Sequence, residues 1–382
     1  MAGVRQRGRR AGAADSGRAA MNPACDKLLL DAVRNPARSA ELDLRQWDDL
    51  LRLARRANLI SRLADGIDQA GMLGRLPAPV RPHLIAALAL AQHQRQAVVW
   101  EARHIATALG ALDIPIVLLK GAAYSMAGLQ AARGRLYGDV DILVPAARIN
   151  EVEAALMLHG WTAGHIDPYD NRYYRQWMHE LPPMVNIKRG TVIDVHHNIL
   201  PRTARNHPSA EKLLAASVAL PEAPFHVLSP CDMVLHCATH LFHEGELNNG
   251  LRDLFDLDAL IQEYAASDAL FWPTLPARAR ELDLEWPLRL AFRYLERFLG
   301  TRIPEQAKTV LGLAPIQDWL HDVMYLPGFL PDHPLCNGYK ALLARGLLYL
   351  RGHYLRMPLH LLALHLGRKG FMRLYKNTSR ST

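Results

Sequence analysis

The chain of 382 residues is half hydrophobic and about a fifth charged, the balance of a globular protein with room for two or three domains. Its net charge of +8 sits at the two ends: residues 1–20 hold +4 and residues 340–382 hold +9, leaving about −5 between them. No apolar run of about 18 residues is present for a spanning helix, and the arginine-rich start lacks the apolar segment of a secretory signal. The four cysteines (25, 231, 237 and 336) form neither a CxxC pair nor a disulfide-dense pattern, so a reduced, cytoplasmic setting is expected.

Residues 1–22 read as a disordered basic tail, and 23–110 as a helical region. "ELDLRQWDDLLRLARRANLISRLADGIDQAG" places Leu44, Trp47, Leu51, Leu53 and Ala54 near a 3.6-residue period. "RPHLIAALALAQHQRQAVVWEARHIATALGAL" is a long second helix stopped at Gly110. The texture changes at 113. "IPIVLLKG" is a short branched run closed by glycine, a buried strand; "AAYSMAGLQAAR" is helical; "DVDILVP" is a second strand ended by Pro145. "AARINEVEAALMLHG" is an amphipathic helix stopped at Gly160, "WTAGH" a short strand, and "MVNIKRGTVIDVHHNI" two strands around the turn "KRG". The expected core is therefore a small mixed α/β sheet over 111–204. From 205 to 382 helical patterns return, beginning at "SPCDMVLHCATHLFHEG", where Ser229-Pro230 is a cap followed by a first-turn proline.

Asp139 and Asp141 are two apart in a strand, so they project from one face with about 6–7 Å between their Cα atoms. Paired carboxylates on one face repel each other and invite a divalent cation such as Mg²⁺, which combines one or two carboxylates with water and substrate phosphates. Asp194, in the β-like run "TVIDVHHN", offers a third. Three carboxylates on neighbouring strands can hold the two ions that clamp an in-line phosphoryl or nucleotidyl transfer. Asp194 would sit nearest the acceptor hydroxyl. Upstream, Lys120 and Gly121 end a strand and enter a helix, where small residues let backbone N–H groups approach a phosphate. Arg135 reads equally as a phosphate contact or a surface ion pair.

These segments resemble a family. "IPIVLLKGAAYSMAGLQ", "GRLYGDVDILVP", "VEAALMLHGW" and "VIDVHHNI" are similar to the uncharacterised nucleotidyltransferases of the DNA polymerase β superfamily. There an "LKG" strand end, an "R…DxDhhV" strand and a later "hDhH" strand form the catalytic core. The resemblance is dense over about 113–200 and looser over 229–262. It implies an α+β fold with a small polymerase-β-like palm sheet flanked by helical regions. It also implies Mg²⁺- or Mn²⁺-dependent transfer of a nucleoside monophosphate from an NTP to an acceptor. Asp139, Asp141 and Asp194 would be the catalytic metal ligands, and Lys120, Gly121, Ala122 and Arg135 the nucleotide-binding residues. Superfamily members carry Gly-Ser where this chain has Gly121-Ala122, so the serine hydroxyl is missing unless Ser125 replaces it.

The acceptor is open: a small hydroxylated compound, a tRNA 3′ end or a protein side chain. His196, two residues past Asp194, shares its face. The looser part of the resemblance brings His240, Arg252 and Asp256 toward the cleft as acceptor-side residues. His236, His240 and His243 lie at i, i+4 and i+7 of one helix. They read as packing or pocket lining, with a zinc hydrolase site as the competing reading, although no HExxH is present. The alternative to an enzyme is a binding module that grips a nucleotide or partner on the same fold without turnover. The C-terminal "RMPLHLLALHLGRKGFMRLYK" reads as a helix on the body of the protein or a peripheral membrane contact.

Overall fold

The computed structural model describes residues 24–164, 167–309 and 315–358. The tail 1–22 and most of the C-terminal basic segment lie outside the described residues. Four helices lead: α1 (Ala24–Arg34), α2 (Leu44–Arg56), α3 (Ile60–Gln69) and α4 (Arg81–Leu109). Asp43 starts α2 with a reciprocal cap: its carboxylate accepts from the Gln46 N–H while the Gln46 side chain accepts from the Asp43 N–H. The single helix expected from residue 41 onward is in fact two. Asn58 adopts φ +56 between them, a left-handed conformation asparagine tolerates, and its side chain donates to Asn249 Oδ1 at 2.6 Å. Trp47, Leu50, Leu53, Leu63 and Ile67 bury the inner faces of α2 and α3.

The sheet region follows in the order β1 (Val117–Leu118), α5 (Lys120–Met126), β2 (Val140–Leu143), α6 (Ile149–Leu158), β3 (Trp161–Thr162), α7 (Pro168–Trp177), β4 (Met184–Asn186) and β5 (Val192–His196). Each expected strand is present. Two more lie beyond residue 204: after α8 (Ala210–Ala215) come β6 (Val218–Ala219) and β7 (His226–Val227). At two residues each they are too short for a period-2 signal. They extend the sheet to seven strands in the order β3-β4-β5-β2-β1-β7-β6. The pairings β2–β5 and β1–β7 are parallel and the rest antiparallel, which makes the sheet mixed and the fold α+β.

The β2–β5 register positions everything that follows. Val140 faces Ile193, Asp141 faces Asp194, Ile142 faces Val195 and Leu143 faces His196. Alternate residues therefore divide into an apolar face, where Val140, Ile142, Ile193 and Val195 are buried and α4 packs on β2, and a face bearing Asp141, Asp194 and His196.

Helices complete the chain: α9 (Pro230–His243), α10 (Gly250–Ser267), α11 (Phe271–Glu281), α12 (Glu285–Tyr294), α13 (Glu305–Thr309), α14 (Pro315–Gly328) and α15 (Tyr339–Arg356). Ser229 caps α9 by accepting from the Asp232 N–H, with Pro230 in the first turn. On one side α9 joins an aromatic core of Phe242, Tyr294, Tyr325 and Phe329, whose ring centroids lie 5.1–6.3 Å apart. Cys231 and Cys237 are buried free thiols, but Cys336 is disulfide-bonded, contrary to the expectation of four reduced cysteines. A pairing between cysteines far apart in sequence leaves no spacing signature. Among the described residues no helix is long and apolar enough to cross a membrane.

Candidate active site

The site is the polar face of β2 and β5 together with the turn from β1 into α5. Leu119 N donates to Asp141 O at 3.0 Å, which ties the end of β1 to β2. The next residue, Lys120, takes φ +47, a left-handed conformation unfavourable for a side chain of its size. That twist turns its ammonium onto Asp141, where Nζ donates to Oδ1 at 2.8 Å. His196 Nε2 reaches the same oxygen at 3.1 Å. Burial pushes the Asp141 carboxyl up, but Lys120 and His196 outweigh it and hold the group well below the usual carboxylate range. Lys120, in turn, is held above its ordinary value despite burial, by Asp141 first and then Asp139 and Glu180.

At the other two carboxylates the raising influences win. Asp139, just before β2, is raised by loss of solvent and by the neighbouring Asp141. Asp194 is pushed up to about 7 by burial, then by Asp141, Glu180 and Asp139. Its Oδ1 is buried with no hydrogen-bond partner. A native carboxylate oxygen left in that state is destabilising by about 1–3 kcal/mol or more unless something on the face satisfies it. Asp141 and Asp194 face each other on adjacent strands and Asp139 lies just before β2, three hard oxygen donors whose ligand atoms do not all come within 4.8 Å of one another in this structure. That donor set fits Mg²⁺ or Mn²⁺.

Across from this face stand α9 and α10. His236 is buried, and burial and then Lys120 drive its imidazole down to about 3. His240 is likewise driven well below its ordinary value, by burial first and then by Lys120. Its Nδ1 lies 3.8 Å from Asp253 Oδ2, and Arg252 donates to Asp253 Oδ1 through Nε at 2.8 Å and Nη2 at 2.7 Å. The Arg252 charge also lowers Asp139. His243 turns away, to Thr239 O, Asn206 and Trp286. Among the described residues the three helix histidines do not gather their nitrogens into a metal group, so the zinc hydrolase reading has no geometric support.

Arg135 and Asp256, expected on the phosphate and acceptor sides, instead meet each other in the interior. Arg135 Nε donates to Asp256 Oδ2 at 2.8 Å, and Arg62 binds the other carboxylate oxygen. Asp256 is 1% exposed and Arg135 7%. Asp256 and then Asp253 outweigh burial and hold the Arg135 guanidinium fully charged. The guanidinium runs beneath Gly121, where a Cβ would collide with it and would come within 2.8 Å of the Tyr137 ring. The glycine is thus required by an arginine below the turn, whatever binds above it. Ala122 and Ser125 are buried in α5, so Ser125 does not offer its hydroxyl at the surface in place of the missing serine.

Sequence reasoning passed over His179, Glu180, Arg62 and Asp253. His179 and Glu180 sit in "WMHELPP", which has neither strand period nor helix stop. Only tertiary pairing reveals them: Leu181 N donates to Val195 O at 2.8 Å and His197 N to His179 O at 2.8 Å, clipping the segment beside β5. No curated protein matches the chain. A family model described as an uncharacterised nucleotidyltransferase matches residues 43–300, spanning the sheet, its polar face and the facing helices. The chain belongs to the uncharacterised nucleotidyltransferase family.

Proposed function

We propose that the protein is a divalent-metal-dependent nucleotidyltransferase that moves a nucleoside monophosphate from an NTP to an acceptor hydroxyl and releases pyrophosphate. The observation that carries the reading is the paired register of Asp141 and Asp194, with Asp139 two residues upstream and Asp194 Oδ1 left buried and unpartnered. Asp139, Asp141 and Asp194 would hold Mg²⁺ or Mn²⁺. When bound, the ions supply Lewis acidity at the phosphates and neutralise charge developing in the transfer. Lys120 changes partner, from Asp141 to the triphosphate, and the backbone at Gly121-Ala122 lies on the phosphate side. Asp194, nearest the acceptor hydroxyl, would help to accept its proton. His196 orients Asp141. His240 and Arg252, on the facing helices, belong to the acceptor side, with His240 neutral and able to accept or donate one hydrogen bond. The acceptor is a small molecule, a tRNA end or a protein side chain.

The second reading, a nucleotide- or partner-binding module without turnover, is favoured by the Lys120 ammonium lodged on Asp141 and by Ala122 in place of serine. Calorimetric titration of the four NTPs with and without Mg²⁺, into wild type and Asp139→Ala/Asp141→Ala, tests both. Mg²⁺-dependent binding lost in the variant, with pyrophosphate released in an acceptor screen, supports the enzyme. Equal binding by both proteins overturns the carboxylates' role, and Mg²⁺-dependent binding with no pyrophosphate from any acceptor class favours the module.

A further inference from the structure

Beside the three aspartates lies a second cluster of different chemistry. Among the described residues, His179, Glu180 and His196 are the group whose ligand atoms all fall within 4.8 Å of one another. His196 is 4% exposed at its side chain and bridges the two clusters. Its Nε2 lies 3.1 Å from Asp141 Oδ1, within hydrogen-bond distance, so a ring N–H there donates to the carboxylate. Nδ1 lies 3.3 Å from Glu180 Oε2, yet it is buried and makes no hydrogen bond. A buried ring nitrogen without a partner, this close to a carboxylate oxygen, makes a pair of ligand atoms that one bound cation would satisfy.

The geometry points to a divalent transition-metal site, of the Zn²⁺ class, formed by His179, Glu180 and His196. Two ligands bound at about 2.0–2.1 Å and a tetrahedral angle are about 3.3–3.4 Å apart, which is the observed Nδ1–Oε2 separation. His179 Nε2 stands 4.0 Å from the same Glu180 oxygen, so its ring must close in by roughly 0.6 Å to complete the set. Two imidazoles and one carboxylate select a borderline transition ion over Mg²⁺, whose preferred donors are all oxygen. The Nε2–H bond to Asp141 is the second-shell arrangement that metal-bound histidines ordinarily have. The supports are rigid: a β-bridge joins Glu180 to His196, and hydrogen bonds from Leu181 N and His197 N fasten the segment on both sides. The ion's role is positional. It pins 179–181 to β5, fixes the His196 ring and through it sets the orientation of Asp141. The site stands whether or not the aspartates bind Mg²⁺.

Co²⁺ titration of chelator-stripped full-length protein tests this, read by visible absorption between about 500 and 650 nm, where low-coordinate Co²⁺ absorbs strongly and octahedral Co²⁺ weakly. One equivalent should give the strong band, persist in a thousand-fold excess of Mg²⁺ and vanish on adding one equivalent of Zn²⁺. Asp194→Asn should keep the band, and Glu180→Gln and His179→Ala should abolish it. Glu180→Gln preserves shape, so it guards against His179→Ala failing to fold, with circular dichroism as the check on both. A weak octahedral spectrum, displacement by Mg²⁺, or loss in Asp194→Asn with retention in Glu180→Gln would overturn the proposal. Those last outcomes leave the NTP reading intact, and Mg²⁺-dependent NTP binding by calorimetry reports on that reading separately.

Discussion

The two faces of β2 and β5 are built from alternate residues of the same strands, yet they are finished to opposite standards. On one, Val140, Ile142, Ile193 and Val195 are at most 3% exposed and belong to the hydrophobic core. On the other, Asp194 Oδ1 and His196 Nδ1 are buried without partners, Lys120 is strained, and Asp139 and Asp194 are raised by loss of solvent and by neighbouring carboxylates. A protein optimised for stability would not leave the second face so. Unsatisfied groups concentrated on one side of a well-packed sheet are the signature of a site whose remaining partners come from outside the chain. The contrast also runs within the polar half. Asp256 is as buried as Asp194 is strained, but two arginines neutralise it.

The largest expected effect breaks that inner contrast. Asp256→Ala leaves the Arg62 and Arg135 guanidiniums facing each other without their shared carboxylate, and urea unfolding should show a loss of about 3–5 kcal/mol. The turn at Gly121 rests on Arg135, so NTP affinity should fall with it. Asp194→Asn should do the reverse. It removes a buried carboxylate whose charge burial and neighbouring carboxylates disfavour, so the metal-free protein should melt at the same temperature or higher. Its pyrophosphate-release rate should drop on the order of 100- to 1,000-fold, the range for losing one electrostatic group at a reacting centre. A variant that lost both stability and activity would show that Asp194 is a structural residue.

Acid sharpens the comparison from the facing helix. His236 is held near 3 in the folded state by burial and then Lys120, against about 6.5 unfolded. Its folded value is depressed, so the unfolded chain takes up a proton that the folded chain refuses. Stability is therefore fully present above about 6.5 and is lost as pH falls from there toward 3. The loss at pH 5 should be about 2 kcal/mol by linkage, and His236→Gln should flatten that part of the stability curve. An unchanged slope in His236→Gln would mean that the ring is charged in the fold.

Most of the sheet was legible because its strands are carried by local signals: branched runs, a closing glycine at 121, a proline at 145 and the turn "KRG". The period of two alone placed Asp139 and Asp141 on one face, and β2–β5 pairing added Asp194 and His196. Three things were not legible. β6 and β7, of two residues each, lack the long branched run closed by glycine that announced the equally short β1, so they went unseen. Arg135 has the same spelling whether it points out or in; its direction is decided by Asp256, 121 residues away. His179 and Glu180 matter only through a bridge to β5 that no local pattern announces. What the chain encodes nearby can be read along it, and what it encodes by distant pairing cannot.

The smallest effect isolates the apolar face. Ile142→Val removes one methylene from a side chain that is 0% exposed and sits one residue from Asp141. The cost should be about 0.5–1.5 kcal/mol in urea unfolding, set by lost burial and the small cavity left behind. Because Ile142 and Asp141 point to opposite faces, the carboxylate should not move, and kcat/KM should stay within a factor of two. Set beside Asp194→Asn, the two substitutions should change stability and activity in opposite combinations although they lie on paired strands a few ångströms apart. If Ile142→Val instead lowers kcat/KM tenfold, the strand does not insulate its faces. Asp141 would then be positioned by core packing through β2, rather than by the Lys120 and His196 contacts on its own side.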